Sequence, residues 1–149
     1  MVKKYFNNER GLTLVELLAV IVILGIIAAV AVPSIGNIIQ KSKEDGVKAD
    51  AIAVLNAAKL YVIEQNVKSK DDTSSISLTK DALIEGGYLE EAGTEWSTEP
   101  TVTYNAKNEL TISGAAEAGK VTLTFSNATL KDINKDTSGD EATTIGTGK

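Results

Sequence analysis

The chain contains no cysteine and no histidine in 149 residues. Without cysteine there can be no disulfide staple, no thiolate nucleophile and no thiolate metal ligand. That absence fits an envelope with little disulfide chemistry. Without histidine there can be no Ser-His-Asp or Cys-His relay and no imidazole ligand. No paired carboxylates stand out as a catalytic dyad, so neither an enzyme nor a cofactor is expected. Fifteen basic residues against twenty acidic ones give a net charge of −5. An acidic surface repels phosphate backbones, so no direct nucleic-acid binding is expected.

What is present is sharply segregated. Met1 to Gly11 is polar and carries Lys3, Lys4 and Arg10. Leu12 to Val32 is then almost unbroken apolar sequence, 21 residues or about 31 Å as a helix, against a hydrocarbon core of about 30 Å. One carboxylate, Glu16, sits near its start. A charge inside a membrane-length segment costs about 2.5–3.5 kcal/mol at the bilayer centre and less toward the edges, so it marks a function and needs a partner. Cutting between Gly11 and Leu12 would create an α-amine four residues before Glu16, and such an amine has a pKa of roughly 7.7–8.0. Negative charge there also complements the helix dipole. Two partners satisfy this chemistry: the amine of the same molecule, or that of a neighbour in a parallel stack. The second would set the stagger between subunits.

The junction Glu9-Arg10-Gly11-Leu12-Thr13-Leu14-Val15-Glu16 resembles the N-terminus of type IV pilins and of the pseudopilins of secretion and DNA-uptake machines. The resemblance covers about the first 55 to 65 residues. It implies a leader (1–11) removed by a prepilin peptidase that cuts after Gly11 and N-methylates Leu12. Phenylalanine is usual where this chain has Leu12. The resemblance further implies that Glu16 acts in assembly, and that Gly25 and Pro33 loosen the helix. Implied partners are further copies of the chain, the peptidase and methyltransferase, and a membrane assembly machine with a platform protein and an ATPase. Pilins often close a C-terminal loop with a disulfide, which this chain cannot do. Loss of the leader leaves 12 basic and 19 acidic residues, a net −7. A rival reading takes Ala29-Val30-Ala31 as a conventional signal-peptidase site that releases a secreted domain starting at Val32. The apolar run is long for that, and it contains Glu16.

Pro33 cannot donate to the Ala29 carbonyl, and Gly25 weakens a helix by up to about 1 kcal/mol relative to alanine. Either a kink at the membrane surface or a segment that loosens during assembly follows. Beyond Pro33, Ile35, Ile38 and Ile39 keep helical spacing, followed by a charged stretch from Gln40 to Lys48. Ala49, Ile52, Ala53, Leu60 and Ile63 form one apolar stripe, with Val54, Leu55, Ala58 and Val62 largely off it. One side suits the chain's own sheet and the other suits neighbours. A helix from Leu12 to about Asn66 would be roughly 80 Å long.

The remaining sequence predicts a polar loop at 68–77 and a short helix Lys80–Glu85, capped by Thr79 and stopped by Gly86-Gly87. Tyr88 and Leu89 should then turn inward. Thr101–Tyr104 and Leu110–Ile112 predict strands around a turn at Asn105–Glu109, and Val121–Phe125 a third. Thr129–Ile133 is expected to pair with the third across Ser126–Ala128. Trp96 is expected in the core. The fold class is α+β: a long spine helix on a small antiparallel sheet of three or four strands. The chain divides into 1–11 (leader), 12–33 (membrane and assembly helix), 34–67 (helix extension), 68–133 (globular region) and 134–149 (polar tail).

Asp132, Asn134, Asp136 and Asp140 place oxygen ligands at alternating positions, as calcium loops do, but the glycine comes too late and no closing glutamate follows. Asn127-Ala128-Thr129 is a glycosylation sequon, a short pattern common by chance. Gly146–Lys149 lacks the spacing of a phosphate loop.

Overall fold

The computed structural model describes residues 9–67, 75–90, 93–105, 107–136 and 143–146, with side chains from Thr13 onward. The leader residues 1–8, the loop 68–74, and Gly139, Asp140 and Glu141 lie outside the described residues. The chain forms two compact units, residues 1–38 and 39–149. Helix α1, Glu9–Glu64, supplies the described part of the first and the opening element of the second.

In the second unit α1 packs on a five-stranded sheet in the order β1-β2-β3-β4-β5. The strands are β1 (Ile76–Thr79), β2 (Trp96–Tyr104), β3 (Leu110–Ala118), β4 (Val121–Ala128) and β5 (Thr143–Ile145). The first four pair antiparallel in sequence order, and β5 joins β4 in parallel. This is the α+β, pilin-like arrangement expected, with one strand more. The core follows from helical spacing: Val47, Ala51, Val54, Leu55, Ala58 and Val62 face inward on α1. They meet Leu78, Val102, Ile112, Leu123 and Phe125 of the sheet. The other stripe stays outside, with Ala49, Ala53, Leu60 and Ile63 exposed and Ile52 half-buried.

Helix α2, Lys80–Glu85, begins where the sequence places it, with Thr79 Oγ1 accepting from the Ala82 amide at 3.3 Å. It buries Leu83 completely, and Tyr88 meets Tyr61 edge-on at 5.4 Å. The Asn105–Glu109 turn also forms, its Asn105 side chain accepting from the amides of Lys107 and Glu109.

Four expectations need correction. Residues 76–79 are a strand, so the polar loop expected at 68–77 does not run on to its end: Leu78 pairs with Val102 and is buried in the core. Residues 129–133 do not form a strand: Thr129 caps helix α3, Leu130–Lys135, and β4 runs on through Ala128. Thr129 and Asp132 form a reciprocal capping box, which satisfies two end donors of the helix. Within 134–149, residues 143–145 are a strand rather than polar tail, with Ile145 3 % exposed. Its parallel pairing requires a crossover, in which α3 lies. Finally, β2 begins at Trp96 and carries a fully buried Pro100. That proline sits in a register shift against β3, where a missing N–H leaves no ladder partner wanting.

Candidate functional site in the apolar half of helix α1

From Thr13 to Ile38 the helix has one side chain, Ala31, that is even half-buried. Leu14, Val15, Leu17, Leu18 and the other large apolar residues up to Val32 are each more than half exposed. Burying a large aliphatic side chain contributes about 1.5–3 kcal/mol, so more than a dozen contribute tens of kcal/mol. That exceeds the whole net stability of a typical domain, about 5–15 kcal/mol, and dwarfs the penalty for one carboxylate. The helix therefore needs lipid or other helices around it. It is long and apolar enough to cross a membrane.

Gly11 and Leu12 lie within α1. Glu16 is exposed on the same helix four residues on. Pro33 stands inside α1, which continues through it. A Cβ added at Gly25 would meet nothing within 4 Å, so close packing inside the subunit does not account for this glycine.

The second unit holds polar groups that sequence reasoning missed. Glu44 and Lys48 are 2 % and 9 % exposed, although they belong to the charged stretch from Gln40 to Lys48. Gln40 Nε2 donates to Glu44 Oε1 at 2.9 Å and to the Ala118 carbonyl at 2.6 Å. The Lys120 amide donates to Gln40 Oε1 at 3.1 Å. One glutamine thus clamps the β3–β4 turn to α1. Lys48 Nζ lies 2.7 Å from Asp136 Oδ2 and donates to the Asp136 carbonyl at 3.2 Å. The signal was available: 40, 44 and 48 recur every four residues on the side of Ala51, Leu55 and Ala58.

The calcium candidates have other tasks. Asp132 Oδ2 accepts from the Thr129 hydroxyl at 2.7 Å and from the Thr129 amide at 3.0 Å. The hydroxyl, then the amide, hold this carboxyl below its ordinary value of 3.8, with smaller help from Lys131 and Lys135. Asp136 pairs with Lys48, Asn134 is exposed on α3, and Asp140 lies outside the described residues. Among the described residues no three acidic side chains gather as a cation site. Trp96 is half-buried against the core, with its ring 5.6 Å from that of Phe125.

Comparison with known proteins meets the same segment. Residues 6–32 match the prokaryotic N-terminal methylation motif. The type IV major alpha-pilin of Moraxella bovis is 33 % identical over 140 residues, covering 94 % of this chain and 83 % of that protein. The chain belongs to the type IV pilin family. The type IV major pilin PilE of Neisseria gonorrhoeae is 31 % identical over 100 residues, 67 % of this chain and 59 % of that one. A type II secretion system core protein G from Vibrio cholerae is 31 % identical over 93 residues, 58 % of this chain and 64 % of its own length. No solved structure matches. The similarity to the Moraxella bovis pilin extends well beyond the apolar helix, through the segment that forms the sheet in this pilin.

Proposed function

We propose that this pilin enters the membrane as a single-pass precursor with its N-terminus in the cytoplasm. A prepilin peptidase cuts it after Gly11, Leu12 is N-methylated, and the product assembles into a homopolymeric filament on the cell surface. A platform protein and an ATPase drive extraction from the membrane. The observation that carries this reading is the exposed apolar surface of α1, with Glu16 as the sole charge in the sequence between Leu12 and Val32. Lipid covers that face in the precursor, and parallel helices of other copies cover it in the filament. Glu16 then pairs with the Leu12 amine of a neighbour and sets the stagger.

Mass spectrometry of the mature N-terminus tests the processing. A methylated Leu12 is expected, and an N-terminus at Val32 would overturn it in favour of ordinary secretion. Similarity to core protein G favours a second reading, a pseudopilin of a secretion or DNA-uptake machine. Deleting the gene separates them: surface filaments vanish in the first case, and protein export or DNA uptake fails in the second.

A further inference from the structure

Between Lys80 and Lys107 the chain carries six carboxylates, Asp81, Glu85, Glu90, Glu91, Glu95 and Glu99, and no basic residue. All but Glu91, which lies outside the described residues, are exposed, and none forms an ion pair among the described residues. Asp81, Ile84 and Glu85 stand three and four positions apart on α2 and so share a face. That face offers an aliphatic side chain between two acids. Ile84 is only half-buried there, while Leu83 takes the core.

The reverse pattern stands elsewhere on the same unit. α1, the turn between β2 and β3, and the start of α3 border an open groove of about 470 Å³. Leu55, Leu110 and Leu130 give it aliphatic walls, and Leu130 is left 43 % exposed. Lys59 and Lys131 add two exposed ammonium groups with no carboxylate partner among the described residues. Glu109, the acid in the wall, accepts from the Asn105 side chain at 3.4 Å.

The acidic face and the groove lie at separate places on the sheet, since α2 packs beside β1 and β2 and α3 beside β4. A patch and a complementary groove at different places on one molecule make a heterologous contact, which builds rings or open helical polymers. Charge gives the reason for such a contact. Loss of the leader leaves each copy at −7, and like-charged copies packed side by side repel unless opposite patches meet.

We propose that this groove receives the α2 face of a second copy, with Ile84 on the leucines and Asp81 and Glu85 beside Lys59 and Lys131. The proposal rests on the filament reading and names the surfaces by which neighbouring sheet-bearing units meet. Exposed ions keep water on one side, so neither partner is stripped bare. The charges select the register, and the aliphatic contact supplies most of the attraction.

A chain without cysteine lets cross-linking read this contact directly. Asn56 in the groove and Ala82 on α2 are exposed and uncharged, so Asn56→Cys/Ala82→Cys leaves every charge in place. Filaments of this variant, scored by electron microscopy, are treated with a short bismaleimide. The expected result is a ladder of dimers, trimers and higher multimers, because each chain offers one thiol to the copy ahead and one to the copy behind. Either substitution alone should leave monomers. A wild-type chain that forms no filaments sinks the filament reading and this proposal with it. Double-variant filaments that yield only monomers overturn the contact and leave the filament standing. Dimers from either single variant also overturn it, because they put like surfaces together. If the double variant does not assemble, charge reversal decides. Lys59→Glu/Lys131→Glu should lower filament yield at least tenfold while the subunit still accumulates in the membrane, and adding Asp81→Lys/Glu85→Lys should restore it. Undiminished yield in the first variant, or no recovery in the second, overturns the proposal.

Discussion

Lys48 Nζ touches Asp136 Oδ2 at 2.7 Å, binding the middle of α1 to the residue that follows α3, 88 positions later. The two side chains are 11 % and 14 % exposed. In a chain without cysteine, this pair ties the C-terminal segment to the spine. Removing one partner strands a nearly buried charge, which typically costs about 3–5 kcal/mol, or about 2–4 here because some solvent remains. Lys48→Met and Asp136→Asn should each lower the thermal midpoint of the full-length, detergent-solubilised protein, read from the near-ultraviolet signal of Trp96. Lys48→Met/Asp136→Asn should be less destabilised than the two single losses added together. Additive losses would show that the pair contributes nothing as a pair.

The Asp132 cap predicts a weaker effect with a defined pH dependence. Asp132→Ala removes the reciprocal bonds with Thr129 and should cost about 1 kcal/mol, as typical N-terminal caps do. The carboxyl is held below 3.8 in the folded chain. It therefore binds its proton less readily folded than unfolded. Its stabilising contribution is present above about pH 4 and is lost as the pH falls through the lowered value. Denaturant midpoints of wild type and Asp132→Ala, measured from pH 6 down to pH 2.5, should converge at the acid end. A constant gap would mean that the cap is not acting as an ion.

Glu16 is predicted to act after processing. Glu16→Ala should leave membrane residence and leader removal intact, because a more apolar helix inserts at least as readily. Filament yield should fall severalfold, scored by shearing and immunoblotting. Unchanged yield in that variant refutes the register role.

The spine and its division of labour were legible in the sequence, because a period of 3.6 fixed which residues share a face. The stripe of Val54, Leu55, Ala58 and Val62 was separable from Ala49, Leu60 and Ile63 before any sheet was known. Helix α2 was legible for a local reason: Thr79 and Gly86 punctuate it. The misses have physical causes. Thr129-Leu130-Lys131-Asp132 has both a strand-like alternation and a capping box, and the box prevails because it satisfies the end of α3. Thr143–Ile145 is too short to carry a period, and only its place beside β4 makes it a strand. Glu44 and Lys48 look solvated when read in sequence and are covered by distant contacts at Ala118 and Asp136. In the apolar segment nothing internal constrains the side chains, so the sequence pattern there speaks about surroundings rather than fold.

Gly25 lets helix flexibility be tested without disturbing packing. A methyl group there meets nothing within 4 Å, so Gly25→Ala fits the isolated subunit and strengthens the helix by up to about 1 kcal/mol. If residues between Gly25 and Pro33 loosen during assembly, the variant should accumulate normally in the membrane, exchange amide hydrogens there more slowly, and polymerise less. Slower exchange with normal polymerisation would show that loosening is not needed.

Leu60 and Ile63 provide the last test, on the side of α1 that the sheet leaves uncovered. They are 58 % and 65 % exposed and stand one turn apart. Covering that much aliphatic surface contributes about 1 kcal/mol per residue, a small amount for one subunit but one repeated at every contact of a polymer. Leu60→Glu/Ile63→Glu changes only exposed positions, so the thermal midpoint should move by less than about 1 kcal/mol equivalent. Leader cleavage, proposed to take place after Gly11 and far along the helix, should also proceed. Filament yield should nevertheless collapse, because a neighbour packed on this stripe would have to bury two carboxylates without partners. Normal filaments from the double variant would mean that the stripe faces solvent in the polymer and that subunits meet elsewhere.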